Sequence, residues 1–384
     1  MKKLIFLTLS LTSFFLCDGL EAVPSFSKNL GLDCSACHTA YPQLTEFGKI
    51  FLESAGEILV QEKYGMLSMT PNPLSARINL RPIDKKFSTD SKTELTKKDR
   101  LLKLRAFHEI EVFLAGRVGK VFYLVEFEAE DEWGDKDRNG FDVRFTEGYA
   151  VYQLNENFNI FTGFASPFVL DGNDTVHHHK VLRRQWKAAE YVPETSQMLG
   201  INGKYRNFNC IAAWHADFEE LEGQDPKNLS LRAFYNYGLQ TFGAYFSHGK
   251  HFDEASSRSK FPFYLYGVDA HLRFKNTNIM VLLGFRDEHD KKRDFDFSIE
   301  ANSIFAIQNT SIKKYLTSII PIANLDVFID REKSSGIWLQ GSTGVAFYIN
   351  PSVRFFPMIE GTLVSPSEYK HKDFRVLLTL DIGL

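Results

Sequence analysis

The run Cys34-Ser35-Ala36-Cys37-His38 has residue types and a spacing that predict a specific chemistry. C-x-x-C-H is the attachment motif of a c-type haem, in which each cysteine thiol forms a thioether to a haem vinyl group. The adjacent histidine then binds the haem iron as an axial ligand. A zinc site would need two further ligands at finger-like spacing, and a thioredoxin-like disulfide would need a surrounding βαβ pattern. Neither is nearby, so we assign one covalent haem c to Cys34 and Cys37, with His38 as iron ligand.

The second axial ligand of that iron is not fixed by the motif. Histidine and methionine side chains are the usual choices, and methionine raises the reduction potential relative to histidine. Three of the candidate histidines lie in a polar loop at about residues 166–198, which either folds inward toward the haem or presents a solvated histidine cluster. The candidates are His108, His215, Met66, Met69, His177, His178 and His179.

Residues 1–22 have the pattern of an export signal. A charged start at residues 2–3 precedes an apolar run over 4–16, and a small residue at Ala22 suits cleavage. The mature chain is therefore predicted to leave the cytoplasm. A lipidated Cys17 is an alternative interpretation of the same segment.

The composition favours a membrane-embedded β-protein. The chain has 384 residues, a net charge of -3 and 44% hydrophobic residues, which does not indicate a nucleic-acid partner. After the signal, no stretch approaches the ~18 continuous apolar residues of a membrane helix. The aromatic content is 14%, with 35 Phe and 15 Tyr, as is typical where aromatic girdles meet a bilayer.

Residues 23–56 form the predicted haem segment, and 57–76 a linker. Pro42 can open a helix whose apolar residues repeat at helical spacing until Gly56. A module of about thirty residues is below the ~40 at which chains usually fold unaided, and it would leave much of a porphyrin wet. The rest of the chain or a partner must therefore cover the haem.

Residues 77–384 alternate in the pattern of β-strands. Around 106–114 and 121–130, one face is apolar and the other is rich in carboxylates. Those acids are predicted to line a wet lumen opposite basic groups, with concentration of cations such as Fe(II) as the alternative. Cys210 alternates in step with Trp214 and is predicted to be a small buried apolar residue. The inward acids are Glu109, Glu111, Glu126, Glu128 and Glu130.

The connections between these strands alternate between short turns and long polar loops, such as 131–141 and 166–198. This asymmetry is typical of an outer-membrane barrel, with tight turns on the periplasmic side. We therefore predict an all-β fold, an antiparallel transmembrane barrel of about sixteen strands. Ser311 to Ile320 is either an extra strand or an insertion, and a soluble all-β domain is the alternative fold.

The stretch from Ala22 to Phe26, the run from Gly31 to Thr45, and Phe47-Gly48 resemble the fused monohaem cytochrome and porin proteins of bacterial outer membranes. The specific match covers about residues 22–52. The resemblance implies haem-binding roles for Cys34, Cys37 and His38, and oxidation of extracellular Fe(II), so the chain is a candidate Fe(II) oxidase.

A haem held inside a barrel would shorten the ~25 Å of hydrocarbon that an electron must cross. The predicted function is therefore an electron conduit between an extracellular donor and a periplasmic c-type cytochrome, in contact with outer-membrane lipid. Two alternatives stay open. One is a porin for small solutes in which the haem segment is a plug or sensor, and the other is a soluble periplasmic electron carrier.

Overall fold

The described part of the chain is built mainly of β-strands. It contains one closed barrel, preceded by a short strand pair, β1 (His38–Ala40) and β2 (Gln43–Leu44), and by helix α1 (Glu46–Glu53). No helix in this part is long and apolar enough to cross a membrane. The computed structural model describes residues 32, 37–40, 43–54, 56, 74–89, 103–130, 142–171, 193, 195–216, 227–252, 260–288, 294–303, 305–307, 309–313, 315–329, 337–350, 353–364 and 372–383.

Each barrel strand pairs antiparallel with the next, and the last strand pairs with the first. Leu377 of the last strand lies opposite Asp84 of the first, so the sheet has no free edge. The first strand begins at Leu74, slightly before the predicted start at 77. The strands are β3 (Leu74–Thr89), β4 (Lys103–Val118), β5 (Val121–Glu130), β6 (Asp142–Asn155), β7 (Phe158–Ala165), β8 (Ser196–Tyr205), β9 (Phe208–His215), β10 (Asn228–Tyr237), β11 (Gln240–Phe252), β12 (Lys260–Phe274), β13 (Thr277–Glu288), β14 (Asp294–Ser303), β15 (Phe305–Ala306), β16 (Ser318–Ile329), β17 (Ile337–Asn350), β18 (Val353–Val364) and β19 (Lys372–Gly383).

The wall holds sixteen strand positions. Elements β14 and β15 both pair with β16 and together occupy one position, so the elements from β3 to β19 close a ring of sixteen. This confirms the predicted antiparallel barrel of about sixteen strands. The only additional regular structure in the described ranges is short, namely the β1–β2 pair, α1 and helix α2 (Thr310–Lys313).

The two faces of the barrel wall differ, and the outward face is apolar. Trp214 is 54% exposed and Leu231 is 42% exposed, whereas their chain neighbours Ala213 and Arg232 are buried toward the lumen. Cys210 shares the outward face with Trp214 and is exposed, so the prediction of a buried Cys210 is wrong. The alternation is as predicted, but the apolar face of a barrel meets lipid rather than a core.

The connections at one end of the barrel are short, and the last strand ends at Gly383 at this same end. The longer connections lie at the other end, as an outer-membrane barrel requires. At the short-turn end one connection, 304–317, is longer because it contains β15 and α2. Ser311 to Ile320 is therefore an insertion followed by the start of β16. Within the described ranges, the two-residue turns are 119–120, 156–157, 206–207, 238–239 and 275–276.

Ion pairs line the lumen where the first and last strands meet. The Arg77 guanidinium donates to Glu111 (Nη1 to Oε1, 2.5 Å) and to Asp381 (Nη2 to Oδ1, 2.9 Å). Asp381 also accepts from Arg354 (Nε to Oδ2, 2.8 Å). These buried charges are mutually compensated, which offsets part of their desolvation. We call this part of the wall, on β18, β19, β3 and β4, the charged arc.

Candidate functional site

The end of the C-x-x-C-H motif is bonded directly to the start of α1. The Thr45 N–H donates to the Cys37 carbonyl oxygen at 2.8 Å. The Thr45 hydroxyl accepts from the Gly48 N–H at 3.1 Å, so Thr45 is the N-cap of the helix. The predicted helix start at Pro42 is wrong, because Leu44 is paired with the motif in the β1–β2 sheet.

Gly48 allows the helix to approach the motif closely. It is buried, and a Cβ at this position would overlap the backbone carbonyl of Cys37. A larger residue would therefore push Cys37 away from the first turn of α1. Cys34 and the side chain of His38 lie outside the described residues. Haem attachment to Cys34 and Cys37, and iron ligation by His38, remain predictions.

Helix α1 is docked inside the barrel by Lys49. This side chain is 1% exposed, and its ammonium donates to Asn236 (Oδ1, 2.6 Å) and to Thr241 (Oγ1, 2.8 Å). The same Nζ lies 5.6 Å from the centroid of the Phe234 ring and 3.8 Å from Glu53 Oε1. A buried ammonium is stable only with such partners. Lys49 therefore fixes α1, which we call the plug, to strands β10 and β11.

Two ion pairs hold the two ends of the plug. At its start, Arg273 of β12 donates to Glu46 (Nη1 to Oε2, 3.3 Å). At its end, Lys204 of β8 lies 3.7 Å from Glu53 (Nζ to Oε2). Lys204 is 41% exposed, so this second pair is partly screened by water. The plug is thus held between strands that are well separated in the barrel wall.

Further contacts extend the docking to the first strands of the barrel. The Arg117 guanidinium of β4 donates to the Ser54 carbonyl oxygen at 3.5 Å, and Phe51 packs edge-to-face on Phe122 of β5, with ring centroids 6.4 Å apart. These barrel residues, like those that bind Lys49, lie close to the two-residue turns. The plug therefore sits in the lumen near its periplasmic mouth.

Burial shifts the ionisation of the two charged residues that face each other along the plug. Desolvation lowers the pKa of Lys49, an effect that the nearby Glu53 carboxylate opposes. Desolvation also raises the pKa of Glu53 from 4.5 to about 6, against the opposing effects of Lys49 and Lys204. Docking of the plug is therefore coupled to protonation of Glu53.

The start of the third long loop also folds into the lumen. Phe168 and Leu170 are fully buried, and Phe168 packs on the ring of Tyr245 with centroids 6.2 Å apart. Residues 166–171 therefore fold inward, as one of the two interpretations of this loop predicts. His177, His178 and His179 lie outside the described residues, so their role stays a prediction.

A buried ion-pair triad fixes this loop segment to the wall. Asp171 accepts from Arg232 of β10 (Nε to Oδ2, 2.7 Å), and Arg232 also donates through both Nη atoms to Asp269 of β12, with Nη2 to Oδ1 at 3.0 Å. Gly243 provides the space, since a Cβ there would overlap the Arg232 guanidinium. Because one guanidinium serves both carboxylates, losing Arg232 would leave two buried carboxylates without a cationic partner.

A continuous apolar cluster lies in the lumen opposite the charged arc, beside the buried triad of Arg232, Asp171 and Asp269. Inward side chains of β5 to β13 pack with the plug and with residues 168–170 into one cluster, which we call the apolar arc. The sequence predicts acids of β4 and β5 in a wet lumen and does not predict this cluster, which forms because the plug and residues 168–170 pack against the wall. The members are Phe51, Phe122, Tyr149, Val151, Phe161, Ala165, Phe168, Val169, Leu170, Met198, Ile211, Ala213, Phe234, Tyr245, Phe263, Leu265 and Leu282.

The candidate second iron ligands have different surroundings. Both ring nitrogens of His215 are engaged, Nδ1 with the Ala216 carbonyl at 2.8 Å and Nε2 with Ser230 Oγ at 2.9 Å. Such a ring would have to break a hydrogen bond to bind iron. His108 is buried with Nε2 3.2 Å from Glu130 Oε1. Met66 and Met69 lie outside the described residues.

The acidic residues of β4 and β5 turn away from the lipid face, where Val112 and Phe127 are exposed. Glu111 is bonded to Arg77, and Glu109 lies 4.0 Å from the same guanidinium. Within the described ranges, no group of three or more His, Cys, Asp or Glu side chains has an arrangement that could hold a metal ion. The acids thus line the lumen beside a basic group, as the simpler interpretation states, and cation concentration stays a hypothesis.

The residues that dock the plug and the loop were not identified from the sequence. Lys49 is one lysine within a short amphipathic helix, and Arg232 is one basic residue in an alternating strand. Their partners lie far along the chain, with Thr241 192 positions from Lys49 and Asp171 61 positions from Arg232. Neither residue interrupts the apolar positions of its segment, so the sequence carries no signal that marks it; Arg232, for example, falls on the polar face of its strand.

The barrel resembles solved outer-membrane porins. Salmonella typhi OmpF matches with a TM-score of 0.57 at 10% identity over 83% of this chain and 98% of that one. The anion-selective porin of Comamonas acidovorans matches with a TM-score of 0.55 at 9% identity over 83% and 99%, and Pseudomonas putida OprB with a TM-score of 0.55 at 7% identity over 81% and 94%. No family model matches the sequence, and no curated protein does.

These identities show a shared fold. The chain has a porin-like barrel of the bacterial outer membrane, in contact with membrane lipid. The alternatives of a soluble all-β domain and a soluble periplasmic electron carrier are therefore wrong. Both alternatives fail because a closed barrel with an apolar outer face needs a bilayer around it.

Proposed function

We propose that the plug of this outer-membrane barrel carries one covalent haem c and passes electrons between an extracellular donor and a periplasmic c-type cytochrome. The observation that carries the proposal is the 2.8 Å hydrogen bond from the Thr45 N–H to the Cys37 carbonyl oxygen. It ties the predicted attachment motif to a helix that is docked in the lumen. Because Cys37, at one end of the motif, is bonded to the start of the helix, docking of the helix restrains that end of the motif.

The residues around the plug are chemically suited to a porphyrin. A haem bound through Cys34, Cys37 and His38 would supply one-electron redox chemistry. A porphyrin needs an apolar surrounding that the short haem segment cannot provide alone. The apolar arc contains Phe51 of the plug and Phe122 of the wall, and offers that surrounding. In this proposal the barrel residues exclude water, and Lys49 holds the haem segment in position.

Fe(II) is the proposed donor. The proposal rests on the resemblance to the fused cytochrome and porin proteins and on the inward acids of β4 and β5, such as Glu126 and Glu128. A negative field in a narrow lumen attracts cations. The chain would then act as an Fe(II) oxidase that hands each electron to the periplasmic partner.

The first test addresses the haem itself. Replacing Cys34 and Cys37 with Ala should abolish haem-linked peroxidase staining on a denaturing gel, because covalent attachment needs the thioethers. A Cys210→Ser variant is the matched control and should stain like the parent. Staining of the double variant at parental strength would refute the assignment.

The second test addresses electron transfer. Liposomes that hold the protein and an internal redox dye should couple dye reduction to an external reductant that is too highly charged to enter. Addition of Fe(II) without oxygen to the purified protein should also reduce the haem, as followed by its absorption spectrum. Dye reduction that needs leakage of the reductant would contradict a conduit.

A second candidate function is favoured by the comparisons, since the similar structures are porins or channels. In this case the barrel passes small solutes along the charged arc, and the haem segment is a plug or sensor. Arg77 and Asp381 give that arc the polar lining that a solute pathway needs. Solute flux into liposomes without dye reduction would support the porin over the conduit.

A further inference from the structure

The periplasmic mouth of the barrel carries a ring of exposed basic side chains. Three two-residue turns contain one each, Lys120, Arg206 and Lys275, and α2 ends at Lys313. All four residues are exposed. The described parts of the short-turn connections contain one acid, Glu156. This end of the barrel therefore presents an excess of positive charge, which we call the basic rim.

Two of the basic residues occupy backbone positions that disfavour them. Arg206 has a φ of 55° and Lys275 a φ of 43°, and they are the non-glycine residues with positive φ in the described ranges. The first position of two other turns is held by glycine, at Gly119 (φ 57°) and Gly238 (φ 59°). Glycine or asparagine adopts this conformation at less cost than arginine or lysine. Strain that persists at equivalent positions indicates a role for the side chain.

The three basic turns belong to the hairpins that hold the plug. Arg117 precedes the turn at 119–120 and donates to the carbonyl at the end of the plug. Lys204 precedes the turn at 206–207 and pairs with Glu53, and Arg273 precedes the turn at 275–276 and pairs with Glu46. The basic rim therefore surrounds the docked segment that leads back to Cys37.

We propose that the basic rim is a docking surface for the acidic face of a periplasmic electron-carrier protein. This deepens the proposed function and rests on it for the identity of the partner as an electron carrier. Complementary charge steers such a partner toward the mouth and orients it against the plug. A role in binding lipid phosphate is the competing use of the same charges. The protein partner is favoured because the basic turns flank the plug contacts inside the ring.

The test uses two probes that differ in charge but not in fold. One is a c-type cytochrome whose lysines are succinylated, which makes it acidic, and the other is the same cytochrome unmodified. The full-length protein is held in nanodiscs of zwitterionic lipid. The acidic probe should bind and the unmodified one should not. Binding of the acidic probe should weaken steeply with added salt.

The decisive variant replaces Arg206 and Lys275 with Asn. It should weaken binding of the acidic probe by about tenfold at low salt, because two rim charges are lost. It should also raise the denaturant concentration needed for unfolding, since asparagine relieves the positive-φ strain. The matched control replaces Arg144 and Lys227, an exposed arginine and lysine at the opposite end, and should leave binding unchanged.

Several results would overturn the docking surface. Equal binding of the two probes would do so, as would parental affinity in the Arg206→Asn/Lys275→Asn variant. An equal loss of affinity in the Arg144/Lys227 control would also contradict the proposal. Binding only when anionic lipid is added would assign the rim to lipid. The Cys34→Ala/Cys37→Ala variant separates this inference from the proposed function. It lacks the proposed haem attachment but keeps the rim, and it should bind the acidic probe like the parent. A parent protein without haem would therefore refute the conduit and leave the docking result intact.

Discussion

Replacing Lys49 with methionine removes the ammonium that anchors the plug but keeps the length of the side-chain stem. In the parent, this ammonium donates to Asn236 at 2.6 Å and to Thr241 at 2.8 Å in a fully buried position. The variant leaves both acceptors without their cationic partner, and Glu53 keeps only its partly screened pair with Lys204. We expect the plug to leave its docked position more often than in the parent.

The magnitude follows from the two hydrogen bonds. A hydrogen bond to a charged group contributes about 1.5–3 kcal/mol, and burial of the freed acceptors adds a desolvation penalty. The methionine stem retains the apolar contacts, which offsets part of the loss. A net weakening of docking by about 3 kcal/mol corresponds to a roughly hundredfold larger undocked population.

The assay is single-channel conductance in planar bilayers, because an undocked plug no longer fills its part of the lumen. Openings in the Lys49→Met variant should be roughly a hundredfold more frequent than in the parent. Lys204→Met is the matched control, since Lys204 is 41% exposed and its pair with Glu53 at 3.7 Å contributes little. Protease cleavage of the segment before the barrel should rise in parallel.

Two results would refute this reasoning. If Lys49→Met shows parental conductance and parental protease resistance, the ammonium does not anchor the plug. If Lys204→Met opens the barrel as much as Lys49→Met, loss of any nearby positive charge accounts for the effect. In that case the two short hydrogen bonds would not be the cause.

Three further predictions concern the plug, the loop and the outer face. Burial raises the pKa of Glu53 to about 6, so the docked state holds the proton more tightly than the undocked state. Docking should therefore be strongest below pH 4.5 and weaken by about 2 kcal/mol as the pH rises through 6. In protease-protection assays, Glu53→Gln should abolish this pH dependence. Asp171→Asn should speed hydrogen exchange at residues 168–171 by breaking the pair with Arg232, and unchanged exchange would argue against the triad as the anchor. Cys210 should react with a lipid-soluble maleimide but not with a sulfonated one, whereas equal labelling would contradict a lipid-facing thiol.

The barrel could be predicted because strand alternation and loop length can be read locally along the sequence. Alternation along a strand decides which residues share a face, so Val112 and Phe127 are assigned to one face without any tertiary information. The lengths of the connections give the two ends of the barrel. Alternation does not decide whether an apolar face meets lipid or a buried core. Cys210 is an example, since its place on the apolar face is compatible with both, and it is exposed.

The C-x-x-C-H motif is also a local signal, because both thiols and the histidine lie within five consecutive positions. That is sufficient to predict the chemistry of Cys34, Cys37 and His38. The start of the helix that follows is less certain from sequence. Proline at position 42 and the cap at Thr45 are both compatible with a helix start, and the pairing of Leu44 with the motif selects the second.

The interior of the barrel was decided only by tertiary structure. Lys49 and Thr241 are 192 residues apart, and Arg232 and Asp171 are 61 residues apart, so a local sequence pattern cannot relate either pair. A charged side chain on an inward position is compatible with a wet lumen and with a buried ion pair. Closure of the sheet brings the partners together and excludes water, so that Lys49 and Arg232 become buried, paired charges beside the apolar arc.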